Sequence, residues 1–161
     1  MNDDDIIESF RGTWEYVRGM RDAFIKCVPE DKWTYTHHPK FGPLVKQFKH
    51  VIKVYGCYRD ALEHQKLDMA KKNIMFQGPE TRENVLALLH GLDQKLDQVL
   101  NQLKQKGLEG YRVSLFGMSM DFSAYTDVMI HHDTSHFGIW ANYAAFGEFN
   151  TPTIWQQDWK L

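Results

Sequence analysis

Cysteine is scarce in this chain: Cys27 and Cys57 are the only two among 161 residues. Two cysteines make no disulfide framework, so stability has to come from packing, and the thiols suit a reducing compartment. No apolar run approaches the length that spans a bilayer, and the opening Met1-Asn2-Asp3-Asp4-Asp5 is acidic where a secretory leader would be basic. Neither sign of charge dominates. Nineteen Lys and Arg against 21 Asp and Glu leave a net charge of −2, without the basic stripe that nucleic acid binding requires. Lys66, Lys71 and Lys72 do cluster, but on a connecting segment where solvation accounts for them. Hydrophobic residues at 43% exclude general disorder. These absences predict one cytoplasmic domain over residues 1–161, with no nucleic acid and no membrane among its partners.

What is present is helical periodicity. The first helix is expected from about Asp5 to Val28, with Ile6, Phe10, Thr13, Val17, Met20, Phe24 and Val28 on one arc and Pro29 marking its end. Ile7, Trp14 and Ile25 lie off that arc, where they suit a homodimer interface or a wider core. Pro43 is placed as first residue of the second helix, whose stripe is Leu44, Phe48, Val51, Tyr55, Tyr58 and Leu62. Gly78-Pro79 is expected to open the third, with Val85, Leu89, Leu92, Leu96, Val99 and Leu103 inward and Gly107 as its stop. Glycines then break the pattern, and Tyr111, Val113 and Leu115 alternate as in a short extended segment. The fourth helix is expected from about Asp121 to Phe146, and Thr151-Pro152 reads as the cap and first residue of a short final turn. The fold class is all-α, a four-helix bundle.

On the fourth helix, Tyr125, Met129, His132, His136, Ile139 and Tyr143 make the inward stripe, with two histidines at its centre. Residues four apart return to within about 40° of each other, one turn along the axis, so both imidazoles can reach one cation. Imidazole suits zinc, nickel, copper or iron. Two buried imidazoles without partners are costly, so the choice lies between hydrogen-bonded core histidines and a metal site. His64 and His90 oppose their stripes and belong to the surface; His131 faces about 100° from His132. A third ligand stays open among His50, His37 and His38.

The segments Phe41–His50, His132-Asp133-Thr134-Ser135-His136-Phe137-Gly138 and Pro152–Leu161 resemble motifs of the DinB-like (DinB/YfiT) family of metal-dependent bacterial enzymes. The resemblance implies a DinB/YfiT-like four-helix bundle with His50, His132 and His136 as metal ligands. Many members follow the last ligand with Arg-Gly-Gln; here Phe137-Gly138-Ile139 stands instead, and a polar group that could orient substrate is gone.

Three neutral His ligands leave a coordination position open, as catalytic rather than structural sites do. The expected cofactor is a divalent cation, zinc or nickel, able to lower the pKa of a bound water or thiol. Outer partners for the ligand rings are sought in Gln47, Tyr125 and Asp133, the last facing aside from His132. Cys57 is read as an inert buried thiol. As implied by the resemblance, the function is thiol S-transfer with a low-molecular-weight thiol as small-molecule partner. A metal-dependent hydrolase and a non-catalytic metal- or ligand-binding stress protein are the alternatives.

Overall fold

A computed structural model describes residues 2–72 and 75–160; Met1 and Leu161, the ends of the terminal segments quoted above, lie outside them. Helix α1 covers Asp3–Cys27. It begins two residues before the expected Asp5 because Asn2 builds a capping box: its side chain accepts from the Asp5 N–H at 2.8 Å, and the Asp5 carboxylate takes the Asn2 N–H at 3.3 Å. Three aspartates in that first turn face the positive end of the helix dipole.

Helix α2 covers Leu44–His64 and α3 covers Arg82–Lys106. Both start later than expected. Pro43 has ψ 152°, so it stands before α2 rather than within it, and its carbonyl accepts from the Lys46 N–H. Gly78, at φ +84°, belongs to a turn that the Asn84 amide ties together through the carbonyls of Gln77 and Pro79. Thr81, not the Gly-Pro pair, caps α3 by accepting from the Asn84 N–H.

The alternating segment is an antiparallel hairpin of β1, Val113–Leu115, and β2, Met118–Met120. Phe116 and Gly117 both take positive φ, as a two-residue hairpin turn requires. Helix α4 covers Phe122–Gly147, capped by Asp121, and α5 covers Thr153–Trp159. Pro152 rather than Thr151 occupies the cap position of α5, because its ψ of 146° is extended.

Helices α1 and α2 each pack against both α3 and α4, so they face one another across the bundle diagonal. Trp14 of α1 meets Tyr55 of α2 there at 5.0 Å between ring centroids. The α1 stripe is turned from the expected one: Ile7, Trp14 and Ile25 are core, which removes them as a dimer interface, whereas Thr13 is exposed. On α4 the buried line runs through Met129, Asp133, His136 and Trp140, leaving His132 at its margin. The inward direction of both helices is set by large indoles that a count of aliphatic positions underweights. Among the described residues no helix is long and apolar enough to cross a membrane.

Candidate metal centre

Packing of α2 on α4 brings His50 against His132 and His136, and one nitrogen from each ring lies within 4.8 Å of the other two. The Nε2 of His132 is 3.4 Å from the Nε2 of His50 and 3.4 Å from that of His136. Such a separation is long for a hydrogen bond between rings. It matches two ligands of one tetrahedral cation, which stand about 3.4 Å apart when each metal–nitrogen bond is about 2.0–2.1 Å. The loop histidines left open by periodicity are elsewhere. His37 is stacked on Phe41 and Phe146, and His38 Nδ1 accepts the Lys40 N–H at 3.2 Å.

The three rings differ in burial: His50 is exposed, His132 half-buried, and His136 buried. Burial pushes His136 down to about 3, with the neighbouring His132 and His50 adding to the shift. Burial and His132 also hold His50 below the ordinary histidine range, against the pull of Asp133. Both rings are therefore neutral near pH 7, the state in which an imidazole can ligate.

Asp133, which helical phase turns aside from His132, is the residue that meets its ring. Its side chain is 2% exposed, and Oδ1 lies 3.1 Å from His132 Nδ1. A carboxylate accepts only, so Nδ1 carries the ring proton and Nε2 is left as a lone pair aimed at its two neighbours. The other carboxylate oxygen, Oδ2, is buried without a hydrogen bond among the described residues, as is His136 Nδ1. A buried carboxylate beside three converging nitrogens is the donor set that a cation offsets, and the residues fit one.

Gln47 and Tyr125 do not serve as outer partners in this arrangement. Gln47 donates its amide to the Phe41 carbonyl, and Tyr125 donates its hydroxyl to the Tyr58 carbonyl. Tyr58, read from sequence as core and buried there, also sets its ring edge-on to His132 at 5.5 Å. Its hydroxyl makes no hydrogen bond among the described residues, and burial followed by the Asp133 charge raises its pKa. Only its place two turns beyond His50 signalled this. Cys57 is buried and its thiol is held protonated by burial.

Asp60, Glu63 and His64 form another group with ligand atoms within 4.8 Å, but Lys71 and Arg59 already supply its positive charge. The residue after the last histidine, Phe137, packs on Trp140, Trp155 and Trp159, so the position where many DinB-like sequences carry Arg is part of an aromatic core.

The crystal structure of a DinB-like protein, YjoA, from Bacillus subtilis is similar over 92% of this chain and 95% of that one, with a TM-score of 0.65 at 14% identity, a likeness of fold. No curated protein matches the sequence. The DinB superfamily profile matches residues 13–139, a stretch that includes all three clustered histidines, and the chain belongs to the DinB superfamily.

Proposed function

We propose that this chain is a metal-dependent enzyme in which His50, His132 and His136 hold one divalent cation, zinc or nickel, and that it transfers a low-molecular-weight thiol to an electrophile. The observation that carries the reading is the convergence of three Nε2 atoms, with His132 fixed in the ligating tautomer by Asp133. Three protein ligands leave room for a fourth from substrate. When bound, such a cation supplies Lewis acidity that lowers the pKa of a thiol toward neutrality.

The chain's own residues have separate tasks in this scheme. His136 stays neutral through burial, and Asp133 keeps the His132 proton on Nδ1. Exposed His50 borders solvent, the side from which substrate arrives. In the reaction the thiol gives its proton to water, its sulfur forms a bond to the electrophilic carbon, and the leaving group departs with the bonding electrons.

Metal analysis of wild type against the His132→Ala/His136→Ala double variant tests the site. About one zinc or nickel per wild-type chain is expected, and loss of nearly all of it in the variant; equal metal in both sinks the assignment. Turnover of an electrophile panel with added thiols tests the reaction. Activity that needs no thiol assigns a hydrolase instead, and absence of any turnover above the metal-free chain favours a binding protein.

A further inference from the structure

His50 has a second neighbourhood besides the triad. It lines a cleft of about 480 Å³ together with Lys46, Lys49 and Lys53 of its own helix and Phe76 and Glu80 from the segment before α3. Spacings of three and four residues put the lysines and His50 on one face of α2, within an arc of about 100°. The space is of the size that takes a small organic ligand, about 300–1,000 Å³.

The charges in this cleft do not cancel. Lys49 is bound by Glu80 and stands over the Phe76 ring at 5.2 Å. Glu80 is the single acidic side chain among the lining residues, so it is spent on Lys49. Neither Lys46 nor Lys53 has a carboxylate partner among the described residues, whereas Lys71, Lys104, Arg11, Arg18, Arg21 and Arg59 all do. Unpaired lysines stand elsewhere on the surface; these two share a concave space with a ring of the histidine cluster. In a chain of net charge −2, that is a local positive field without a local structural use.

We propose that Lys46 and Lys53 bind the anionic group, a carboxylate or phosphate, of the small molecule whose reacting end lies at the histidine cluster. The proposal rests on the reading above and narrows its substrate class to anionic molecules. An ammonium is a point charge that takes either oxyanion, so lysine here recognises charge more than shape. Lys49, already neutralised, shapes the wall through Phe76 and Glu80.

Titrating the zinc-treated chain with inorganic phosphate and separately with succinate, and following the backbone amide shifts of residues 46–53, tests this. Saturable shifts with at least one anion are expected. A Lys46→Gln/Lys53→Gln double variant should weaken that binding by about tenfold or more, with zinc content unchanged, while Lys26→Gln binds as wild type does. Preference for succinate assigns a carboxylate, and preference for phosphate a phosphate. Undiminished binding in the double variant overturns the proposal, including the case in which the anion sits on the cation itself. So does an absence of saturable shifts in wild type. Zinc content, read on the same samples, reports on the metal site alone: a wild type without zinc defeats the metal assignment, while the anion titration still decides the lysines.

Discussion

His132 and Asp133 are neighbours in sequence with different surroundings, and their pairing decides what the cluster can bind. The carboxylate is core and the imidazole is marginal, yet Oδ1 reaches Nδ1 at 3.1 Å. Asp133→Asn keeps the shape of the side chain but removes the charge-assisted acceptor. The expected result is a loss of about 10–100-fold in zinc affinity, the usual effect of removing an outer partner, measured by competition with a chromogenic chelator. An unchanged affinity in a variant with wild-type circular dichroism would show that the contact does not tune the metal. Helical phase alone places Asp133 about 100° from its neighbour and so hides this contact. A short side chain beside a ring at the margin of the core closes that angle, which periodicity does not represent. Phe137 is a similar case: its departure from Arg is visible in sequence, but its packing on Trp155 is a tertiary fact.

At the level of helices, the four apolar periods and their breaks were legible, and the stripes of α2 and α3 are almost wholly buried as read. Two things were not. The rotation of α1 and α4 depends on where Trp14 and Trp140 pack, and the caps at Asn2 and Thr81 depend on side chain to backbone bonds. Charged residues within the core also escape a count of apolar positions. Arg21 of α1 is fully buried and pairs with Asp93 of α3 at 2.7 Å, while the Tyr55 hydroxyl of α2 donates to the same carboxylate at 2.8 Å. Burial opposes the protonated guanidinium, and the charge and hydrogen bond of Asp93, helped by Asp22, outweigh it. This junction joins three helices, and its contribution lies in pairing. Asp93→Ala leaves the buried guanidinium with Asp22, at 3.0 Å, as its remaining carboxylate, unpairs the Tyr55 hydroxyl, and should cost about 3–5 kcal/mol, read as a lower urea midpoint. Arg21→Met/Asp93→Leu removes both charges and should recover part of that loss. A single variant that costs less than the double one would mean that the pair is not the source of the effect.

Over the whole molecule, the histidine cluster joins two elements that are far apart in sequence. His50 comes from α2 and the pair from α4, so a cation held by all three bridges the α2–α4 contact, whereas α1 and α3 supply none of its ligands. A ligand that binds only the folded chain stabilises it by RT ln(1 + [L]/Kd), about 4 kcal/mol when free zinc stands at 1,000 times Kd. For a domain of this size each kcal/mol moves Tm by about 2–4 °C. Zinc-loaded wild type should therefore melt about 8–16 °C above the chelator-treated chain in differential scanning calorimetry. His50→Ala separates a bridge from a site made by α4 alone. If His50 contributes, that variant loses most of the zinc-dependent rise while its metal-free Tm changes little, because His50 is exposed and its removal leaves the core intact. If the rise survives unchanged in His50→Ala, the i, i+4 pair holds the cation without α2, and the three-histidine site is wrong.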